Sequence, residues 1–104
     1  MKRPIQLTDT WDNMNAIVCS HCGSEFLHHY EVEVYNRTTE DSEEGTYISV
    51  KGAKTTVKSN SYEMMENPSR RRDGVAITFE CENCRELTEV VLIQHKGQSF
   101  IYQK

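Results

Sequence analysis

Two short cysteine runs are the part of this sequence best suited to chemistry. Cys19-Ser20-His21-Cys22 is followed by Gly23, and Cys81-Glu82-Asn83-Cys84 is followed by Arg85. In each run two residues separate the thiols, and a turn of that length lets both sulfurs face one ion. Four thiolates meeting at a point suit a tetrahedral Zn²⁺, with Zn–S of about 2.3 Å. Four protein ligands also close such a site. A catalytic zinc keeps one position for water, so a four-cysteine zinc acts on folding rather than on a substrate. Gly23 fits the first turn, because the residue after the second cysteine often takes backbone angles that glycine tolerates best.

Other uses of the same thiols follow from other pairings. Disulfides would consume them in an oxidising compartment, but nothing at the N-terminus reads as a secretory signal. No apolar run reaches the ~18 residues of a transmembrane helix. The expectation is therefore a cytoplasmic chain whose cysteines bind metal. Cys19 and Cys22 alone imitate a redox pair, but that chemistry activates its first thiol at a helix N-terminus. The residues after Cys22 read as strand. His29, Glu31, Cys81 and Cys84 imitate the zinc-deaminase set, which needs its His and Glu on a helix and a proline before the cysteine pair. Glu80 stands in the proline's place. His21 reads as a solvent-facing tip of the first turn rather than a substitute ligand. Glu40-Asp41-Ser42-Glu43-Glu44 lacks the ligand spacing of a calcium loop and reads as a solvated acidic loop. Glu31 and Glu33 could form a carboxylate pair, but a solvated strand face is the simpler account, and no enzyme is expected.

The elements that must position these cysteines are strands. Residues 25–37 alternate, with Phe26, His28, Tyr30, Val32 and Val34 on one face and Glu25, His29, Glu31, Glu33 and Arg37 on the other. Leu27 and Tyr35 break the pattern. Ala16–Val18 form a short strand into Cys19, and 46–51 resume alternation. Gly52 interrupts it before a weaker run around Val57. Val75, Ile77, Phe79 and Cys81 share a face of a strand into the second turn. Residues 87–94, apolar on both faces, predict a central covered strand. Lys96-Gly97 centres a hairpin turn to a last strand over 99–103. One short helix is expected over Tyr62–Glu66, capped by Ser61 and ended by Pro68. The fold class is mostly β, an antiparallel sheet with little helix, in one domain spanning 1–104. Residues 38–74 form a loop-rich insert.

The 104 residues carry a net charge of −4 and are 37% hydrophobic. Leu, Ile, Val and Phe together make about a fifth of the chain, a thin core that a metal would supplement. The acidic balance is spread along the chain and disfavours nucleic acid, whose binding draws on a basic surplus. Arg70, Arg71 and Arg72 are the best exception. A nucleic-acid role requires them to converge with Lys51, Lys54 and Lys58 on one face. Phe26, Tyr30, Phe79, Phe100 and Tyr102 fall at strand positions and read as core packing, not as a base-stacking platform.

The two cysteine turns with their flanking strands resemble the zinc ribbon, a superfamily in which two CxxC hairpins clamp one structural zinc. In size and element order the chain also resembles small zinc-ribbon proteins of phage and prophage genomes. The departures are the long stretch 23–80 between the pairs, where compact ribbons have roughly 15–20 residues, and Arg85 in a place often held by glycine. Rubredoxin uses similar turns for iron, but neither pair here contains proline. The resemblance implies one structural zinc on Cys19, Cys22, Cys81 and Cys84. It also implies a non-enzymatic interaction module that binds a protein partner through its loops. The strand at 99–103 offers an edge to a second copy.

Overall fold

Alternating sequence produces strands throughout the structure, a computed structural model that describes residues 2–59 and 62–104. They are β1 (Leu7–Trp11), β2 (Met14–Ile17), β3 (Leu27–Arg37), β4 (Gly45–Lys51), β5 (Lys54–Ser59), β6 (Gly74–Cys81), β7 (Leu87–His95) and β8 (Gln98–Gln103). Strands β3–β8 form one antiparallel sheet of order β5-β4-β3-β6-β7-β8, and β1-β2 form a separate hairpin. The expected helix is a 3-10 turn over Tyr62–Glu66, and its proposed cap Ser61 lies outside the described residues.

The turns follow their residues. Lys96 and Gly97 both take positive φ (52° and 78°) between His95 and Gln98, as a tight primed hairpin turn requires. The same geometry at Asp12 and Asn13 (51° and 64°) makes the β1-β2 hairpin. The sequence predicts only a short strand before Cys19, although Asp-Asn is a residue pair that tolerates this conformation. Residues 38–74, read as loop-rich, contain β4, β5 and the 3-10 turn, with loops at 38–44 and 67–73.

Those two loops hold each other. Arg37 donates from its guanidinium to the carbonyls of Ser69 (2.7 Å), Arg70 (3.1 Å) and Arg72 (3.0 Å). Arg71 pairs with Asp41 through Nη2 at 2.8 Å, and Glu40 reaches Arg72 at 3.0 Å. The acidic loop is thus partnered by the basic one rather than simply solvated.

The faces of β3 differ from the alternation its sequence predicts. A bulge between His29 and Glu31 leaves Tyr30 without a partner on β6, and the side-chain parity reverses there. Leu27 and His29 therefore share a face with Val32 and Val34, and His28 does not. His29 meets Phe79 at 5.3 Å between ring centroids, whereas His28 lies 3.6 Å from the Glu82 carboxylate. The better-covered face around the middle of β3 is the one carrying the acids. Tyr35, Tyr47 and Met64 pack together there. Glu33 accepts both phenols, from Tyr47 at 2.6 Å and Tyr35 at 3.2 Å, and Glu31 accepts Ser49 at 2.7 Å. Burial and then the neighbouring Glu33 raise both phenols, Tyr47 to about 12 and Tyr35 further. Of the five aromatics assigned to the core, only Phe79 is buried. Phe26, Tyr30 and Phe100 are exposed and Tyr102 is half-buried.

The opposite face carries one aliphatic row across all six strands, Val57–Ile48–Val34–Val75–Leu92–Ile101. Nearer the cysteines the same face is covered. Gln103, almost fully buried, accepts the Gln6 N–H at 3.2 Å, and Arg3 bridges to the Gln103 backbone. Strand β7 is covered on both faces only at Val90 and Val91, while Leu87 and Leu92 are exposed. No helix among the described residues is long and apolar enough to cross a membrane.

Candidate metal centre

Both cysteine turns sit at one end of the sheet because β3 and β6 are antiparallel neighbours. Strand β3 starts three residues after the first turn and pairs its Leu27 with Cys81 at the end of β6. The long stretch between the pairs leaves along β3, turns through β4 and β5, and returns along β6. Its length is absorbed by the sheet, so the sequence separation does not separate the knuckles.

The two turns have the same backbone hydrogen bonds. Gly23 N–H donates to the Cys19 carbonyl and Arg85 N–H to the Cys81 carbonyl, each at 3.0 Å. Cys19 N–H then reaches Ser24 O (2.8 Å), and Cys81 N–H reaches Glu86 O (3.0 Å). Gly23 and Arg85 occupy equivalent positions and both take positive φ, 79° and 66°. Arg85 therefore adopts the conformation that glycine has in the first turn, at a steric cost glycine avoids.

The four sulfurs converge. Sγ of Cys19 and Cys84 lie 3.6 Å apart, as do those of Cys22 and Cys81, and all four fall within 4.8 Å of one another. A tetrahedron with metal–sulfur bonds of about 2.3 Å has edges of about 3.8 Å, so these spacings fit one thiolate-bound ion. They are far beyond the S–S bond of about 2.05 Å, and all four cysteines are free. Cys19 and Cys81 are buried, Cys84 half-buried and Cys22 exposed, so the centre has a covered side and a rim.

Polar groups orient the sulfurs. His21 N–H points at Cys19 Sγ and Cys84 N–H at Cys81 Sγ, both at 3.4 Å. Asn83 Nδ2 donates to Cys22 Sγ at 3.5 Å, across from its own knuckle. Burial opposes charge on Cys19, but the N–H groups of Cys22 and His21 and the nearby thiols outweigh it and bring it to about 6. Asn83 first, then the Ser24 N–H, lower Cys22. Cys84 goes up to about 12: the Glu86 N–H favours its thiolate, but burial and three adjacent sulfurs prevail. Without a cation the sulfurs resist ionising together, and a bound divalent ion removes that repulsion.

A second set of contacts fixes the first knuckle to the sheet. Ser20 N–H and Oγ both lie 3.1 Å from Oγ1 of the buried Thr88, and His21 Nε2 lies 3.2 Å from Leu87 O. Glu82 N–H donates to Phe26 O at 2.9 Å. His21 is thus an exposed tip residue turned to a carbonyl. Asn83 and Thr88 were not singled out from sequence, although Asn83 holds in its turn the place of His21 in the other.

The remaining candidates do not join this centre. Lys51, Lys54 and Lys58 line one cleft with Glu31 and Tyr47, and Arg70, Arg71 and Arg72 line another with Lys2 and Lys96. Glu31 accepts a hydrogen bond from Ser49, and Glu33 accepts from Tyr35 and Tyr47. No protein-family model matches the sequence, and no curated protein or solved structure matches it.

Proposed function

We propose that this chain is a zinc-stapled β-domain with a non-enzymatic role, in which Cys19, Cys22, Cys81 and Cys84 hold one structural Zn²⁺. The observation that carries the reading is the approach of four free thiols to tetrahedral spacing at the meeting of two matched turns. Thiolate sulfur favours zinc or iron over the harder cations, and zinc suits a site that needs no redox change. The ion supplies folding energy, which structural zinc sites do on the scale of about 10–16 kcal/mol at neutral pH. Such a supplement suits a chain with so small a cluster of buried side chains.

With all four positions taken by protein, the centre leaves no place for water or substrate, and the function falls to surfaces around the staple. Phe26 and Leu87 are exposed beside the knuckles, and Trp11 and Met14 at the tip of the β1-β2 hairpin. Exposed aromatic and large aliphatic side chains are the anchors protein interfaces favour. A protein partner is the reading they support, and we propose that it is met in the cytoplasm; if the sequence resemblance to small phage zinc-ribbon proteins holds, that partner belongs to a host or phage assembly.

The cleft of Lys2, Arg70, Arg71, Arg72 and Lys96 supports a second reading, contact with nucleic-acid phosphates. Glu40 and Asp41 already pair with Arg71, and Glu40 with Arg72. Binding of a labelled oligonucleotide that weakens steeply with salt supports that reading, and binding indifferent to Arg70→Ala rejects it.

Native mass spectrometry of protein purified without added metal tests the main reading. One zinc per chain, with loss of the strand signal on chelation, supports it. A folded, metal-free chain rejects it.

A further inference from the structure

We infer that the open face of the six-stranded sheet is a dimer interface, which a second copy of this chain covers. The row Val57–Ile48–Val34–Val75–Leu92–Ile101 takes one aliphatic side chain from every strand. The next row on that face, Thr55–Val50–Val32–Ile77–Val90–Gln103, is also uncharged, and the chain itself already covers its Val90 and Gln103 end. In a chain that is 27% charged, two uncharged rows across a whole sheet mark a surface that water does not normally meet.

Part of the face meets water nonetheless. Val57 is 63% exposed, Ile101 50%, Val50 44% and Leu92 38%, with Val34, Ile48 and Val75 half-buried between them. The other face has its cover, in which Met64 and the 67–73 loop lie over Tyr35, Tyr47 and Ala76. On this face, cover from the N-terminal segment ends around Gln103. A sheet apolar on one face needs a second layer, and the described chain does not supply one.

The size of the face points to a second copy. Its exposed aliphatic area is of order 500 Å², the upper end of what a monomer leaves open. Two such faces apposed bury roughly 1,000 Å² of side chain, about the least area at which a well-matched interface is specific. The absence of charge suits an isologous contact, in which the same patch of both copies meets across a two-fold axis, residue i against j and j against i. Acidic chains repel each other, and here no charge of either row is forced against its copy. The pairing forms a sandwich of two sheets about 10 Å apart. It differs from edge pairing at β8, whose outer side already bonds Arg3 at Gln103. The inference does not depend on the metal's identity.

Sedimentation velocity on the full, metal-loaded chain from about 1 to 100 µM tests it. The expected species has twice the 12.1 kDa of one chain. The double variant Val57→Glu/Leu92→Glu is expected to sediment as monomer, with its dissociation constant raised at least 100-fold and its strand signal and zinc content kept. If the double variant loses fold or zinc, Val57→Lys at the most exposed end replaces it, with the same expected loss of dimer. A wild-type chain that stays monomeric throughout overturns the inference and leaves the face to another partner. So does a dimer that survives the charges and disperses instead with Ser99→Pro on the edge strand.

Discussion

Gly23→Ala separates backbone geometry from packing at the metal centre. A Cβ built at Gly23 meets nothing within 4 Å, so the substitution adds no clash. What it adds is the cost of holding an L-residue at φ 79°, roughly 1–2 kcal/mol. Alanine also restricts the unfolded chain, which returns about 0.4–1 kcal/mol. The expected net loss is therefore about 1 kcal/mol, close to a fivefold weaker apparent zinc affinity where folding and binding are coupled. Arg85→Gly reverses the argument in the second knuckle. It relieves a similar cost at φ 66° and gives up an exposed ion pair to Glu80 at 3.9 Å, which contributes little. A gain of up to about 1 kcal/mol is expected. Denaturant unfolding of the zinc-loaded variants, with zinc affinity from competition against a chromophoric chelator, reads both. Equal stability of Gly23→Ala and wild type, together with a weaker Arg85→Gly, would refute the claim that matched left-handed residues shape the knuckles.

Three more outcomes follow from the same structure. Glu33→Leu strands the phenols of Tyr35 and Tyr47, and a loss of about 2 kcal/mol in thermal or denaturant unfolding is expected; a neutral result contradicts the shared acceptor. Tyr47 is held protonated, from an ordinary 10.0 up to about 12, so its contribution is full below pH 10 and fades as pH rises through 12. That contribution is at most about 3 kcal/mol, and equilibrium unfolding between pH 9 and 12 should show stability falling; a flat profile contradicts it. Metal-loaded protein should resist thiol alkylation, and after chelation Cys22 should react first, being exposed with a lowered thiol; peptide mapping by mass spectrometry reads the order, and Cys81 first contradicts it.

The candidate ligands and most strands were legible because their signals are local. Two CxxC runs need only their own spacing; β6 follows from alternation, β7 from a continuous apolar run and β8 from a Lys-Gly turn. The parity of β3 was not legible. One bulged residue, Tyr30, shifts every later side chain to the other face, and nothing in a single strand's sequence announces a bulge. The tyrosine–glutamate cluster was hidden for a related reason. Glu31 and Glu33 mark a face as solvated unless their hydrogen-bond donors are known, and those donors come from β4 as well as β3. Arg85 read as a departure from glycine, and only its φ shows that the backbone keeps the same turn. The closure of so long a separation between the cysteine pairs depends on β3 and β6 being neighbours, a long-range fact that spacing does not carry.

X-ray absorption on protein purified without added metal tests the central claim most directly. The account predicts a zinc edge and a single shell of four sulfurs at about 2.3 Å. An iron edge, a nitrogen or oxygen atom in the first shell, or no bound metal would contradict it.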